Sequence, residues 1–428
     1  MLASGWEYCR NALFWTLNMA VRLQFEGIRC FSEPQEAAIR PVTLLVGENS
    51  SGKSTVLALC QIAHAVVRGP QSDLPFNVPP FLLGAYDQIA SYRGGRAGRA
   101  KSFSLTISLD GGQEPQSLCA EFTSWDGQPG IDVWRLRAGD LVFEAKRRPG
   151  QYNYYSGTLR GPHGVTDMPA DTFWAPPLRL KLHPPDSELG AVGGAWSKIR
   201  GEFPTRPYAF APIRTSPRRT YDPVSSEPRP EGQHIPMLLA TLARSASSQG
   251  WSAMQSALQE FGSKSGLFDG IEIVNKGRKE SDPFQIGIRS GGPTVNLIDV
   301  GYGVSQSLPL LVDTIRQAAG HELFLLQQPE VHLHPRAQAE LGSFFASQAR
   351  KNRKFVIETH SDHLVDRVRM EVRRKKLKPE DVSLLYFERG KHGATIHNLE
   401  LDRNGGIANP PEGYRQFFLN EERELLGI

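Results

Sequence analysis

The segment Gly47-Glu48-Asn49-Ser50-Ser51-Gly52-Lys53-Ser54 constrains this chain more than any other. It fits G-x-x-x-x-G-K-[ST] at every fixed position, and each fixed residue has a physical task. Gly47 and Gly52 let the backbone curl so that successive N–H groups face one anion. Lys53 adds a point charge for the β- and γ-phosphates of a nucleotide, and the Ser54 hydroxyl is placed to coordinate Mg²⁺. The helix expected from Thr55 presents its N-terminal dipole to the same phosphates. The context agrees: the apolar run Val42–Val46 reads as a buried parallel strand before the loop, and Thr55–Val67 reads as an apolar helix after it.

The rest of the chain alternates strands with helices, which predicts an α/β sheet. Val21, Leu23 and Phe25 alternate as on a half-buried strand, and Ser104–Leu109 does the same. From Gly111 to Gly232 the sequence turns rich in Gly, Pro, Trp and Tyr and lacks long helical periodicity. It reads as a β-rich, loop-heavy insertion, followed by a helical stretch over Ile235–Phe261. Ile271–Val274 and Phe284–Ile288 read as a long-looped hairpin, and Gly301–Ala319 as a glycine turn entering a helix. Leu323–Leu326, Phe355–Ile357, Leu384–Phe387 and Ala394–His397 read as strands. The expected division is an extension over 1–20, an N-lobe with the P-loop over 21–110, an insertion over 111–265, and a C-lobe over 266–428.

Composition narrows the class. With 428 residues, 39% hydrophobic and 22% charged, the chain can bury a large core, and a net charge of +4 does not by itself mark a polyanion binder. Cys9, Cys30, Cys60 and Cys119 are scattered without a C-x-x-C pair, so neither a zinc site nor a disulfide framework is indicated, and a reducing, cytoplasmic setting fits. No apolar run reaches the roughly 18 residues needed to cross a bilayer. The run from Ala12 to Val21 lacks a following A-x-A site. It reads as a packing or oligomer-contact helix, or as sequence upstream of an alternative start at Met19.

Three downstream pieces give the P-loop a family. Asp299-Val300-Gly301-Tyr302-Gly303-Val304-Ser305-Gln306 is a glycine turn opening a helix. Leu323-Phe324-Leu325-Leu326-Gln327-Gln328-Pro329-Glu330 is an apolar strand running into Val331-His332-Leu333-His334-Pro335. Phe355-Val356-Ile357-Glu358-Thr359-His360-Ser361 is an apolar strand ending in Thr-His-Ser. Their order and spacing resemble the ABC-type ATPase heads of the RecF, SMC and OLD-like group, and more closely the stand-alone bacterial AAA family ATPases that end in a small C-terminal domain of unknown function, several of which sit in anti-phage operons. The resemblance runs from about Val21 to the C-terminus and is weakest in the insertion.

The resemblance implies a P-loop NTPase of the ABC-ATPase head type that holds ATP and Mg²⁺ between two copies. Gly47 to Thr55 of one copy would bind the nucleotide. The turn at Gly301 and Gly303 of the other would cap the γ-phosphate, with Gly301 or Ser305 standing where the family has its signature serine. His360 would contact the γ-phosphate and orient water. Gln88, between the P-loop helix and the next strand, stands where a metal-contacting glutamine is expected.

The strand ending Gln327-Gln328 departs from the family pattern, which has an acid near Mg²⁺ and then a glutamate that polarises water. Glutamine can hydrogen-bond a water but cannot take its proton. Either the chain holds ATP without cleaving it, or the base is elsewhere, with Glu330 the nearest candidate. Further implied partners are a second copy and a separate effector chain, a nuclease or toxin. The 65 residues after His363 (364–428) are too few for a built-in nuclease domain plus the closing strands.

Three basic clusters could grip nucleic acid: Asp366–Lys378; Arg93, Arg96, Arg99 and Lys101; and Lys146-Arg147-Arg148. The plainer reading is a set of solvated, ion-paired faces. A metal site of His332, His334, His360 and His363 is a further alternative to their roles in the turn and switch. Ala209–Arg219 resembles a stretch carried by the same family, with Arg214 either reaching the nucleotide or bracing the insertion.

Overall fold

The computed structural model describes residues 21–69, 74–95, 98–111, 115–148, 150, 154–172, 184, 187–224, 227–245, 248–316, 323–391, 393–411 and 413–414. The extension over 1–20 with Cys9, Arg96 of the second basic cluster, and the residues after Tyr414 lie outside the described residues.

The centre of the molecule is a six-stranded sheet. Its order is Tyr208–Phe210, Leu323–Gln327, Lys354–Glu358, Val42–Gly47, Val382–Gly390 and Gly393–Leu399. All neighbours are parallel except the final hairpin. Val42–Gly47 is flanked on both sides, which explains its continuous apolar run: both of its faces and both of its edges are covered.

A second sheet of eight antiparallel strands carries Val21–Glu26 and Gln35–Ile39 at one edge and a meander from Phe103 to Thr172. Phe103–Leu109 pairs with Gln116–Trp125 along its whole length. The sheet therefore runs without interruption through residue 110, where the N-lobe was expected to end. Tyr208–Phe210, from the expected insertion, is the edge strand of the central sheet.

The P-loop helix Lys53–Val66 lies between the two sheets. Every residue of it except Ser54 is buried. Its C-terminal carbonyls would be orphaned there without partners. Two indoles supply them: Trp134 Nε1 donates to Val66 O at 3.0 Å and Trp196 Nε1 to Val67 O at 2.7 Å. On the other face of the central sheet pack the helices Tyr302–Arg316, Pro335–Ala349 and Asp362–Arg373, with Ser248–Ser265 beyond them.

The insertion also contains a helix that its sequence does not announce, Glu188–Gly201. Four glycines among its 14 residues hide the helical periodicity. It is set by the Ser187 cap, whose hydroxyl accepts the Gly190 N–H at 3.0 Å, and by burial of Val192, Trp196 and Ile199. The stretch expected as one helical region over Ile235–Phe261 is two helices, Ile235–Arg244 and Ser248–Ser265. No helix among the described residues is long and apolar enough to cross a membrane.

Candidate nucleotide-binding site

The loop after Val42–Gly47 has the backbone that its sequence demands. Gly47 sits at φ 138° and Gly52 at φ 97°. A Cβ at Gly47 would lie 2.3 Å from Phe387 O, and one at Gly52 would lie 2.3 Å from Phe31 Cζ and 2.7 Å from Cys30 Sγ. Both positions exclude side chains on two grounds, backbone conformation and space. Ser51 Oγ donates to Glu48 O at 2.7 Å and closes the curl, while Glu48, Asn49 and Ser50 form an exposed crest. Thr55 N–H bonds back to Gly52 O at 3.0 Å and starts the helix.

Lys53 is only 3% exposed, and its Nζ donates to the carbonyls of Gly47 and Glu48. Burial pulls its pKa below the ordinary lysine value, against the opposing negative charges of Glu358 and Glu48.

Three neighbouring strands end beside this loop. Gln327 stands in register with Glu358, which stands in register with Leu45 of the P-loop strand. Ser54 Oγ donates to Glu358 Oε2 at 2.6 Å. Gln328, at φ 43°, bonds through its N–H to Glu358 O at 2.8 Å. The sequence reading passed over Glu358. Its signal was present all the same, an acid directly after the apolar run Phe355-Val356-Ile357.

His360 is exposed, close enough to Lys53 for the ammonium to add to burial in lowering its pKa. The imidazole is therefore neutral at pH 7 and can donate or accept a hydrogen bond. Its backbone N–H donates to Glu330 Oε1 at 2.7 Å. Glu330 is 7% exposed, and its Oε2 has no hydrogen-bond partner among the described residues. Burial raises its pKa, opposed by the bonds from His360 and Thr359 and by the charge of Arg214. Arg214 is itself buried and bound to Gln306, and burial lowers its pKa to about 10.

At the Gly301 turn, a Cβ on Gly301 would meet no described residue within 4 Å, and Tyr302 beside it is 61% exposed. Gly303 packs tightly, with a Cβ there lying 3.0 Å from His332 O. Ser305 is buried and spends its hydroxyl on Tyr302 O at 3.0 Å. Arg219 forks onto Asp299 at 3.0 and 2.6 Å and fixes the approach to the turn. The Gln88 amide is also spent locally: its Oε1 accepts the Ala85 N–H at 3.0 Å, capping its own short helix Tyr86–Ile89.

Part of each basic cluster is engaged within the chain. Arg367 pairs with Glu340, Arg369 with Asp366, and Arg374 and Lys376 both with Glu371. Arg147 bonds Asp132 and lies over the Trp125 ring, and Arg99 lies over Tyr92. Among the described residues no group of three or more His, Cys, Asp or Glu side chains gathers to hold a metal.

The site thus has a P-loop, a parallel sheet with one strand between the P-loop strand and the Gln327-Gln328 strand, and a histidine past the end of that middle strand. A family profile described as "AAA domain, putative AbiEii toxin, Type IV TA system" matches residues 202–366. The match spans the edge strand, the Gly301 turn, the glutamine pair and His360.

In fold, the chain is a P-loop NTPase. Three solved structures are similar to this chain. The Smc head bound to the C-winged helix domain of ScpA is 11% identical with a TM-score of 0.46, over 90% of this chain and 98% of that one. The SMC head domain from Thermotoga maritima is 14% identical with a TM-score of 0.40, over 90% and 100%. The Smc head with an extended coiled coil, bound to the C-terminal domain of ScpA, from Pyrococcus furiosus is 10% identical with a TM-score of 0.45, over 94% and 99%. No curated protein sequence matches the chain.

Nucleotide and Mg²⁺ use are implied by this fold, and the chain has residues that fit both. The loop N–H groups and Lys53 suit phosphate oxygens. The Ser54 hydroxyl and the Glu358 carboxylate are hard oxygen donors of the kind Mg²⁺ takes.

Proposed function

We propose that this chain is an ABC-type ATP-binding protein that binds ATP with Mg²⁺, closes as a homodimer around it, and thereby regulates a separate effector chain. The observation that carries the reading is the pairing of a formed P-loop with a glycine turn at which a Cβ on Gly301 would meet no described residue within 4 Å. Gly301 opens the 15-residue helix Tyr302–Arg316 with open space over it. A partner's triphosphate placed there would meet a helix N-terminus and its dipole. His360 would then orient water at the γ-phosphate, and Lys53 would exchange its carbonyl partners for phosphate oxygens. The effector, a nuclease or toxin, and a role in anti-phage defence rest on the family resemblance alone.

Light scattering tests the dimer. The 47.5 kDa chain should double in mass with ATP and Mg²⁺, and the Lys53→Ala variant should not. An unchanged monomer mass with saturating nucleotide would refute closure.

A second reading is favoured by Gln327 and Gln328: an ATP-holding scaffold without turnover. Steady-state phosphate release that disappears in Lys53→Ala would exclude it. A DNA-binding repair role draws less support, since Arg367, Arg369, Arg374 and Lys376, four of the seven cations of the Asp366–Lys378 cluster, pair with carboxylates of the chain itself.

A further inference from the structure

The strand that should end in an acid ends in Gln327-Gln328, yet a carboxylate stands one strand away. In-register residues of adjacent parallel strands share a face of the sheet. Leu45, Val356 and Leu325 face the P-loop helix in one core, while Leu44, Ile357 and Leu326 face the other. By that alternation Gln327 and Glu358 both point toward the P-loop helix. The carboxylate has therefore moved one strand spacing, about 4.8 Å, closer to the P-loop than the position of Gln327.

Glu358 is 7% exposed and has no ion-pair partner among the described residues. Ser54 gives one hydrogen bond to Oε2. A buried carboxylate so placed calls for a positive charge. The nearby ammonium of Lys53 is turned to the carbonyls of Gly47 and Glu48.

The Ser54 hydroxyl is the P-loop group expected to face Mg²⁺. By donating its proton to Glu358 it fixes its rotamer and keeps its lone pairs for a cation. That is the part an outer carboxylate plays in orienting a metal-ligating side chain.

We propose that Glu358, the last residue of the strand that precedes His360, is the acidic residue of the Mg²⁺·ATP site, replacing the charge absent at Gln327 and Gln328. The assignment rests on the ATP-binding reading above. It assigns the glutamine pair a neutral role at the strand end, and it makes the switch strand the source of both the metal-site acid and the γ-phosphate histidine.

The test is ATP affinity measured by calorimetry with Mg²⁺ and with EDTA, on wild type, Glu358→Gln and Gln328→Ala. Wild type should bind ATP about 10-fold or more tightly with Mg²⁺, and Glu358→Gln should lose most of that gain while keeping its EDTA affinity. Gln328→Ala should keep the gain. Electron paramagnetic resonance with Mn²⁺ should show ATP-dependent metal capture by wild type and not by Glu358→Gln. Should Glu358→Gln not fold, Glu358→Ala is the second variant, read by the same measurements. A Glu358 variant that keeps the full metal gain overturns the proposal while leaving ATP binding intact. A wild type that binds no ATP overturns both readings.

Discussion

Gly301 separates a role in the chain's own stability from a role toward a second copy, because the two make opposite demands on a substitution. Consider Gly301→Glu. Gly301 lies outside the left-handed backbone region, and a Cβ there meets nothing within 4 Å. The folded chain should accept the side chain within about 0.5 kcal/mol. A carboxylate ahead of the helix Tyr302–Arg316 would even gain about 0.3–1 kcal/mol from the helix dipole. In the closed dimer the same carboxylate would face the triphosphate held by the partner. At about 5 Å and an effective dielectric of about 20, each pair of like charges costs about 3 kcal/mol. Two symmetric sites bring this to about 6–7 kcal/mol, weakening ATP-driven dimerisation by about 30,000- to 100,000-fold. Sedimentation velocity with ATP and Mg²⁺ reads the dimer, and calorimetry on the dilute monomer should show ATP affinity unchanged within about twofold. Gly303→Ala is the contrast: its Cβ would press on His332 O at 3.0 Å and Leu333 Cδ2 at 3.2 Å, costing about 1–3 kcal/mol of stability. If Gly301→Glu dimerised like wild type, the turn would not be the trans cap. If it unfolded the chain, the reading of Gly301 as open would be wrong.

Two further outcomes follow from the site. Gly52→Ala must accept a left-handed backbone and a contact of 2.3 Å with the Phe31 ring, a loss of about 2–5 kcal/mol that urea melts would read, and an unchanged midpoint would count against the geometry of the loop. Glu330 has a raised folded-state pKa, so the folded chain keeps that proton to higher pH than the unfolded chain does. Its contribution is fully favourable below the ordinary carboxylate range and is lost as pH rises through the raised value, by about 1.4 kcal/mol for each unit of the rise. The stability of wild type relative to Glu330→Gln should therefore fall as pH rises above the ordinary carboxylate range, and a pH-independent difference would show that Glu330 is not desolvated.

The P-loop was legible because its chemistry is local: eight consecutive residues carry the spacing, and the strand and helix around it are continuous apolar runs. The strand ends beside it were legible one at a time. Their juxtaposition was not, because Gln327 and Glu358 meet through the register of two parallel strands that are far apart in sequence. A reader who seeks the metal-site acid at the end of the Leu323 strand stops at Gln327 and passes over the same pattern at Glu358. The helix Glu188–Gly201 was hidden because tertiary burial of Trp196 and Ile199 outweighs the low helix propensity of its glycines. The basic helix shows the limit from the other side. Arg367, Arg369 and Arg374 look alike in sequence, and only packing reveals that Glu340, Asp366 and Glu371 neutralise them.

The way the Gly301 helix is anchored limits how the proposed dimer could close. Asp313, near its end, accepts the Tyr208 hydroxyl at 2.8 Å and faces His234 Nε2 at 3.1 Å, all within the core. Since His234 Nδ1 accepts the Arg229 N–H, Nε2 carries the ring proton and donates to Asp313. Near its start, Gln306 is bound on both sides by Arg214, through the backbone N–H and through the guanidinium. Arg214 already has Nε and Nη2 without partners, and it sits in the field of Glu330. Swinging the helix away from the sheet would strip Arg214 of its remaining bonds while it stayed buried. Breaking such a buried charge network costs about 3–5 kcal/mol. Retaining those bonds is cheaper, so the helix, the strand Tyr208–Phe210 and the Glu330 turn should travel as one body. Closure around ATP is then expected as a rigid approach of two chains that brings each Gly301 to the other's Lys53. Because Glu330 holds the His360 backbone N–H, the same body would carry the histidine's position with it.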